Sequence, residues 1–151
     1  MNICFIGGGV MAESLIKGIL YSGIGSPAEL LICDPSDERR NYLESQFSVK
    51  TSSSNSILKD FEGLIILAVK PQTIPKVFGT LKGLIKSDST IMSIVAGLTS
   101  ESIKQGLSHN LVVRVMPNTP AQIGLGMSVW TSGAEVSDFD KEYIKKILQT
   151  L

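Results

Sequence analysis

The sequence has few of the residues that most often perform chemistry by themselves. Its 151 residues include one histidine, two cysteines and one tryptophan, and 14 acidic side chains balance 14 basic ones. A formal net charge of zero without a dense basic run predicts no nucleic-acid partner. Its apolar runs stay far short of the roughly 20 residues that a membrane helix needs, so no membrane partner is predicted either.

The same scarcity limits the possible reaction types. Cys4 and Cys33 have neither metal-ligand spacing nor the spacing of a redox C-x-x-C pair, and we expect both to be buried and reduced. No catalytic triad order, carboxylate pair or metal cluster is visible. His109 lies in a polar stretch and is expected to face solvent. Without a basic leader pattern at its start, the chain is expected to be cytoplasmic.

Glycines interrupt the chain where the first predicted strand ends. Ile3–Ile6 is an apolar run typical of a buried strand, and Gly7, Gly9 and Ala12 then form a G-x-G-x-x-A fingerprint before a helical pattern. In dinucleotide-binding turns the first glycine permits the tight turn, the second leaves room for the pyrophosphate, and the third small residue lets the helix pack closely. The helix N-terminus then faces the phosphates. The alternative is that these glycines only close a turn between strand and helix.

Predicted strands alternate with predicted helices along the chain. Strands are expected over residues 3–6, 29–33, 48–51, 63–69, 90–95, 111–116 and 127–131, and helices over 11–20, 36–47, 55–60, 74–85, 99–107 and from 137 onward. This alternation predicts an α/β fold, a Rossmann-type doubly wound and mostly parallel sheet with helices on both faces. Right-handed crossovers would bring every strand's carboxyl end to one edge, where ligands bind.

Asp34 follows the second predicted strand. An acidic side chain at that place accepts hydrogen bonds from the adenosine ribose and favours NAD. Ser36, Arg39 and Arg40 come soon afterwards, and a hydroxyl with a guanidinium suits a 2′-phosphate. The arginines also fit a solvated helix face, and Asp34 also fits a turn that begins a helix. The residues alone leave the preference between NADPH and NADH open.

Two further polar segments fall at the same predicted edge. Lys70 leaves the fourth strand, where it either reaches a ribose or phosphate or caps a helix in solvent. Residues 116–120, Met-Pro-Asn-Thr-Pro, hold a polar pair between two prolines that restrict the backbone on both sides. We expect a pre-organised polar loop at the ligand edge, with a rigid turn lacking a ligand role as the alternative.

Four segments stand out together, namely Phe5–Ala12, Leu67–Gln72, Ser93–Gly97 and Arg114–Ala121. Together they resemble the motifs of Δ1-pyrroline-5-carboxylate reductase. Many reductases share the first segment, whereas the Met-Pro-Asn-Thr-Pro stretch is much more specific, and the resemblance extends over essentially all of the chain. It implies reduction of the cyclic imine 1-pyrroline-5-carboxylate to L-proline, the last step of proline biosynthesis, by hydride from NADPH or NADH.

The resemblance also implies a set of cofactor contacts. These comprise the pyrophosphate turn, the adenosine side, the nicotinamide ribose and the nicotinamide itself, and no catalytic or metal-ligating residue is assigned. With Asp34 and Ser36 added, the predicted cofactor-binding residues are Ile6, Gly7, Gly8, Gly9, Val10, Met11, Asp34, Ser36, Asn55, Ala68, Val69, Lys70, Pro71, Ile94, Val95 and Ala96. NADPH-preferring members usually carry Ser, Thr or Asn-Arg after the second strand, and Asp34 departs from that pattern.

Members of this family continue beyond the length of this chain into a helical domain that dimerises and holds the substrate. The resemblance therefore implies that residues 1–151 form the dinucleotide-binding domain, with the helical domain absent from this chain. We expect the chain to bind cofactor without reducing substrate alone, and the full-length protein to be a homo-oligomer. Ile144, Ile147 and Leu151 are expected to form an exposed edge toward the absent domain.

Two other functions stay open at this point. One is a catalytically inactive, reductase-like module that senses or binds NAD(P) for regulation. The other is a related reductase acting on a different small molecule, such as a deazaflavin or a β-hydroxyacid. Activity on 1-pyrroline-5-carboxylate would exclude both.

Overall fold

The computed structural model describes residues 1–118, 120 and 125–151. The strands within these residues are β1 (Ile3–Ile6), β2 (Leu30–Cys33), β3 (Lys50–Ser52), β4 (Leu64–Leu67), β5 (Thr90–Ser93), β6 (Val112–Pro117) and β7 (Ser128–Ser132). The α-helices are α1 (Val10–Tyr21), α2 (Asp37–Phe47), α3 (Ile74–Leu81), α4 (Ser100–Leu107) and α5 (Asp138–Leu148). Short 3-10 helices cover Pro27–Glu29, Asn55–Asp60 and Pro71–Thr73.

The strands form one sheet in the order β3-β2-β1-β4-β5-β6-β7. Neighbours from β3 to β6 pair in parallel, and β7 runs antiparallel to β6. The chain therefore winds outward from β1 in one direction and then from β4 in the other, which leaves a crevice at the carboxyl ends of β1 and β4. This confirms the predicted doubly wound α/β fold.

One part of the topology expectation was wrong, because the carboxyl end of β7 lies at the opposite edge. The connection between Pro117 and Ser128 is shorter than the dozen or so residues that a parallel crossover needs. The chain therefore returns directly beside β6, with Met116 opposite Val129.

Both sheet faces are buried under helices, which is why the central strands are apolar without alternation. In β1, Ile3 and Phe5 belong to one buried cluster, whereas Cys4 and Ile6 belong to the other. The first cluster is closed by α1, α2 and α5, and the second by α3, α4 and the 3-10 helix Asn55–Asp60. The two layers of helices hold the sheet rigid beneath the crevice.

Several predicted boundaries were wrong. Strand β5 ends at Ser93 rather than at Val95, and three other boundaries differ for a local reason. Ser48 does not begin β3, because it ends α2 in the left-handed conformation at φ 54°. Strand β4 ends at Leu67, and Ala68, Val69 and Lys70 after it line the crevice. Helix α3 ends at Leu81 because Gly83 has φ 80°, which breaks the helical path.

The expected exposed edge at the end of the chain was also wrong. Ile144, Ile147 and Leu151 are all buried in the cluster that contains β1. The antiparallel return of β7 brings α5 back over the sheet, where it packs beside α1. The apolar side of α5 is therefore covered within this chain.

His109 is buried rather than solvent-facing, which corrects the expectation from its polar neighbours. Ser108 ends α4 in the left-handed conformation and turns the chain inward. The His109 Nε2 atom then lies 2.6 Å from the Ser89 carbonyl oxygen. This contact is structural, because it joins the end of α4 to the turn before β5.

The two cysteines are free, buried and close together, as expected for reduced side chains. Their sulfur atoms are 3.9 Å apart on the neighbouring strands β1 and β2. The hydrogen bond with Cys33, together with burial, raises the pKa of the Cys4 thiol. Cys4 therefore stays protonated at neutral pH.

Among the described residues, the helices are too short and too polar to cross a bilayer. In the same part of the chain, His, Cys, Asp and Glu side chains do not gather into a group that suits a metal ion.

Replacing Gly63 with alanine should destabilise the fold. Gly63 has φ 141°, and a Cβ atom there would lie 2.2 Å from the Asn2 carbonyl oxygen. We expect Gly63→Ala to lower the free energy of unfolding by about 1–3 kcal/mol. Gly79→Ala is the matched control, since Gly79 lies in α3 with open space around it. Gly79→Ala should raise the free energy of unfolding by about 0.5–1 kcal/mol. Urea unfolding of both variants measures this difference, and equal effects would contradict it.

Candidate functional site

A cavity of about 720 Å³ opens at the carboxyl ends of the first four strands. Its floor comes from the ends of β1, β2 and β4, and its outer wall from the serine-rich loop after β3 and one side of α3. The lining residues are Ile6, Gly7, Gly9, Cys33, Asp34, Pro35, Ser53, Ser54, Asn55, Ser56, Ala68, Val69, Lys70, Thr73, Lys76, Val77, Thr80 and Leu84. The cavity therefore lies at the point where the strand order reverses.

Gly7 makes the turn at the centre of this cavity. Its N–H donates to the Cys33 carbonyl oxygen at 2.8 Å, and its φ of 97° is one that side chains rarely adopt. A Cβ atom at Gly7 would also lie 2.6 Å from the Ala68 carbonyl oxygen. The turn is therefore fixed between the ends of β2 and β4.

Gly9 caps the N-terminus of α1 and lines the cavity. No atom lies within 4 Å of the place where its Cβ would stand, so the fold itself does not require a glycine there. The first N–H groups of α1 have no acceptor within the helix, and the helix dipole adds positive potential. An open approach beside these donors is the arrangement that binds a diphosphate.

Asp34 lines the cavity next to the glycine turn. Its Oδ2 accepts a hydrogen bond from the Gly8 N–H at 2.8 Å, and its Oδ1 accepts one from the Ser36 N–H at 2.9 Å. The carboxylate is held by two backbone donors and keeps free lone pairs on both oxygens. It can therefore accept hydrogen bonds from ligand hydroxyl groups.

Arg39 packs against the back of the glycine turn. Its Nε donates a short hydrogen bond to the Gly8 carbonyl oxygen, and its Nη2 lies 3.4 Å from the Gly9 carbonyl oxygen. The same Nη2 contacts Glu13 Oε2 at 2.6 Å. The guanidinium also stacks on the Tyr42 ring, 4.9 Å from its centre. Arg39 thus ties α1, α2 and the turn together, which corrects its interpretation as part of a solvated face.

Glu13 is the carboxylate at the centre of that contact network. Burial acts to raise the pKa of Glu13, but hydrogen bonds from Lys17, Arg39 and Tyr42 outweigh it and hold the pKa below its usual value. The distances are 2.7 Å to Lys17 Nζ and 3.1 Å to the Tyr42 hydroxyl. Glu13 is therefore charged at neutral pH and neutralised by its partners.

The outer wall of the cavity is made of polar side chains that contact each other. Asn55 Nδ2 donates to Thr80 Oγ1 at 2.9 Å, which joins the loop after β3 to α3. Ser54 Oγ accepts from the Ser56 N–H at 3.2 Å and starts the 3-10 helix. This wall has the size and polarity to border an adenosine group.

The structure brings half of the predicted cofactor-binding residues into this cavity. Those that line it are Ile6, Gly7, Gly9, Asp34, Asn55, Ala68, Val69 and Lys70. Gly8 donates its N–H to the Asp34 carboxylate and does not line the cavity. Val10 and Met11 belong to the first turn of α1. Ser36 caps α2 by accepting from the Arg39 N–H at 3.2 Å, so it is not part of the cavity wall.

A second depression of about 310 Å³ holds most of the remaining predicted residues. Pro71, Val95 and Ala96 line it together with the start of α3. Ile94 lies beside them, with its N–H donating to the Leu67 carbonyl oxygen at 3.1 Å. Because Lys70 lines the first cavity and Pro71 the second, the two sites adjoin at the end of β4.

The sequence interpretation missed the α3 side of the cavity. Thr73, Lys76, Val77, Thr80 and Leu84 all line it. Lys76, Val77 and Thr80 are three and four residues apart, which places them on one side of α3, while Thr73 comes just before the helix and Leu84 just after it. That spacing was a usable signal in the sequence. Lys76 adds a second cation beside Lys70.

The Met-Pro-Asn-Thr-Pro segment is described only in part, since Thr119 lies outside the described residues. Asn118 Oδ1 accepts from the Met127 N–H at 2.8 Å, and the Asn118 N–H donates to the Met127 carbonyl oxygen at 3.2 Å. In this structure Asn118 therefore closes the connection between β6 and β7. A ligand role for the loop stays a prediction.

Comparison with known proteins agrees with this geometry. Residues 2–97 match the family model described as "NADP oxidoreductase coenzyme F420-dependent". The chain belongs to this NADP oxidoreductase family. The match covers the glycine turn, Asp34, the polar wall and both sides of the end of β4.

Individual relatives show which members of the NADP oxidoreductase family this chain is similar to. A pyrroline-5-carboxylate reductase of Synechocystis sp. is 35% identical over 128 residues, which cover 85% of this chain and 48% of that protein. The structure of a pyrroline-5-carboxylate reductase from Coxiella burnetii superposes with a TM-score of 0.86 at 25% identity, covering 99% of this chain and 56% of that one.

A third relative is a structure with a bound nucleotide. It is a Plasmodium falciparum pyrroline carboxylate reductase with NADP bound, with a TM-score of 0.84 at 28% identity, over 99% of this chain and 55% of that one. The predicted resemblance to pyrroline-5-carboxylate reductases is confirmed. The chain spans about half the length of the curated relatives that it matches.

In this member of the NADP oxidoreductase family, Gly9→Ala should separate binding from folding. Since a Cβ at Gly9 meets no protein atom, we expect unfolding free energy to change by less than about 1 kcal/mol. The same methyl group would stand where a diphosphate approaches, so affinity for NADH and NADPH should fall at least about tenfold. Cofactor fluorescence titration and urea unfolding measure the two effects.

Gly7→Ala is the comparison for that variant. Its methyl group would collide with the Ala68 carbonyl oxygen at 2.6 Å, and the positive φ adds about 1–3 kcal/mol of strain. We expect this variant to lose stability as well as binding. Unchanged binding in Gly9→Ala would contradict the placement of the diphosphate.

The Glu13 network predicts a specific pH dependence of stability. Because the pKa of Glu13 in the folded chain lies below its ordinary value of 4.5, its stabilising effect is complete above pH 4.5 and is lost as pH falls through the lowered pKa. Glu13→Gln should therefore cost about 1 kcal/mol at neutral pH and progressively less in acid. Urea unfolding between neutral and acid pH measures this, and a pH-independent difference would refute it.

Proposed function

We propose that this chain is the cofactor-binding part of a pyrroline-5-carboxylate reductase. In this proposal a reduced nicotinamide dinucleotide, NADPH or NADH, transfers hydride to the cyclic imine 1-pyrroline-5-carboxylate, and L-proline is the product. The observation that carries it is the cavity at the reversal of strand order, with the Gly7–Gly9 turn at its centre and Asp34 at its side. The similarity to a reductase with NADP bound supports it.

Each part of the proposed cofactor has a matching part of the cavity. The diphosphate would lie on Gly9 and the N-terminus of α1, and the adenosine between Asp34 and the wall that contains Asn55. The nicotinamide end would extend past Lys70 toward the depression at Val95 and Ala96. The cavity volume of about 720 Å³ is within the range of cofactor sites.

The chemistry also agrees with the scarcity of catalytic side chains. When bound, the reduced nicotinamide supplies the hydride, so the protein mainly orients the reactants and excludes water. Rigid positioning is what the described residues offer, because Gly7 is fixed between β2 and β4 and Arg39 holds the turn from behind. The proton that the imine nitrogen needs is not assigned to a residue of this chain.

We propose that this chain binds the cofactor, and that the part of its relatives beyond the matched region binds the substrate. Residues 1–151 form the dinucleotide-binding domain, and a helical domain of the family binds the substrate and dimerises. We also propose that the enzyme works in the cytoplasm, which fits the free Cys4 and Cys33 thiols. The complete protein would be a homo-oligomer with a small-molecule substrate.

A chimera tests this division of work. The segment of the Coxiella burnetii reductase that follows its matched region would be fused to this chain, and proline formation would be measured with NADH and NADPH. We expect the 151-residue chain and the chimera both to bind cofactor, and only the chimera to form proline. Gly9→Ala in the chimera is the control, and it should reduce turnover together with cofactor affinity.

Other outcomes would favour other functions. Turnover by the 151-residue chain alone would refute the division of work, and absence of nicotinamide binding would refute the cofactor site. Cofactor binding without activity in the chimera would favour a regulatory NAD(P)-binding module. Activity on a deazaflavin or a β-hydroxyacid in preference to 1-pyrroline-5-carboxylate would favour the related reductase.

A further inference from the structure

We propose that this chain prefers NADH to NADPH, because Asp34 occupies the 2′ side of the adenosine ribose and Arg39 is held away from it. The inference rests on the proposed function and specifies its cofactor. The two cofactors differ only in the 2′-phosphate, so the charged groups that border the ribose decide between them. The matched family model is described as an NADP oxidoreductase, and this preference departs from that description.

Asp34 is placed to bind ribose hydroxyls and to repel a phosphate. It lines the cavity beside the glycine turn, and backbone N–H groups of Gly8 and Ser36 hold its two oxygens at 2.8 and 2.9 Å. Each oxygen keeps a lone pair for a hydroxyl donor. A 2′-phosphate carries a charge of about −1.5 to −2 at pH 7 and has little proton to offer. Like charges so close weaken binding.

The Asp34 side chain also has little freedom to move aside. Its Oδ2 bond to Gly8 joins it to the same turn that would hold the diphosphate, and a Cβ at Gly8 would lie 3.5 Å from that oxygen. The Ser36 bond forms a local turn at the start of α2. Rotating the carboxylate away from the ribose would therefore break two hydrogen bonds.

Arg39 is the cation that sequence alone offers to a 2′-phosphate, and the structure directs it elsewhere. All of its described contacts lie behind the turn, on the Gly8 and Gly9 carbonyl oxygens and on Glu13. The ring of Tyr42 covers one face of the guanidinium. Releasing Arg39 would leave Glu13 without one of its two charged partners and the turn without its support.

The neighbouring arginine is also engaged. Arg40 Nη1 donates to the Asp34 carbonyl oxygen at 2.7 Å, and its Nη2 makes a short contact with the Asp37 carboxylate. Neither arginine lines the cavity. The lining cations are Lys70, after β4, and Lys76, on α3, whereas Asp34 follows β2. The side of the cavity after β2 is therefore anionic.

Four nucleotides compared on the 151-residue chain test this inference. NADH and NADPH are titrated by nicotinamide fluorescence, and 5′-AMP and adenosine 2′,5′-bisphosphate are titrated by calorimetry to isolate the 2′-phosphate. We expect NADH to bind at least about tenfold tighter than NADPH, and 5′-AMP to bind tighter than the bisphosphate by a similar factor.

Replacing Asp34 should reverse the preference. Asp34→Ser removes the charge and leaves space, so NADPH affinity should rise at least about tenfold while NADH affinity falls. Asp34→Asn keeps the shape and gives the same direction if the serine variant folds poorly. Glu38→Gln is the matched control, because it removes an exposed carboxylate that lies four residues further on, in the first turn of α2 and outside the cavity. It should leave the ratio unchanged.

Arg39→Gln distinguishes positioning from direct phosphate binding. If Arg39 only supports the turn, this variant weakens NADH and NADPH by the same factor and leaves their ratio unchanged. A loss confined to NADPH would show that Arg39 reaches the 2′-phosphate and would overturn the inference. If Lys76→Gln instead weakened NADPH binding alone, the inference would also be overturned, because the 2′-phosphate would then bind on the α3 side of the cavity.

The outcomes separate this inference from the proposed function. If both cofactors bind and NADPH binds as tightly as NADH or tighter, the inference fails and the proposed function stands. If neither cofactor binds, the proposed function fails and the inference fails with it. A tighter NADH complex that Asp34→Asn does not weaken would assign the preference to another group and would refute the role of Asp34.

Discussion

The backbone contact of the Gly7 turn with the ends of β2 and β4 is the constraint on which the site depends. The Gly7 N–H bonds the Cys33 carbonyl oxygen, and the Ala68 carbonyl oxygen lies too close for any side chain. Cys33 ends β2 and Ala68 directly follows β4, and these two strands lie on opposite sides of β1. The turn is therefore set where the sheet changes direction, and the N-terminus of α1 is set with it.

A second layer of contacts holds the turn from behind. Arg39 donates to a carbonyl oxygen of the turn. Glu13 and Tyr42 hold the Arg39 guanidinium in place. The first N–H groups of α1 have no acceptor within the helix, so they are available to a ligand. If a diphosphate binds at this turn as proposed, the same contacts also keep Arg39 away from the ribose. The proposed binding and the proposed cofactor discrimination would then both follow from one network.

The division between the described cavity and its adjoining depression also has a structural cause. Strand β4 ends at Leu67, and Lys70 and Pro71 then separate the two spaces. The larger space is closed by α3 and by Asn55 with Thr80, whereas the smaller one lies beside the Val95–Gly97 turn. In the proposed function, a cofactor that spans both spaces would place its nicotinamide end at the smaller one.

The sequence by itself determined the α/β fold, the glycine turn and the position of Asp34, because these depend on local apolar runs and on steric limits at single residues. Tertiary structure alone decided the burial of His109 and of Ile144. It also decided where Arg39 points. Those features depend on contacts between residues far apart in the chain, such as Arg39 with Glu13, and local patterns carry no information about them.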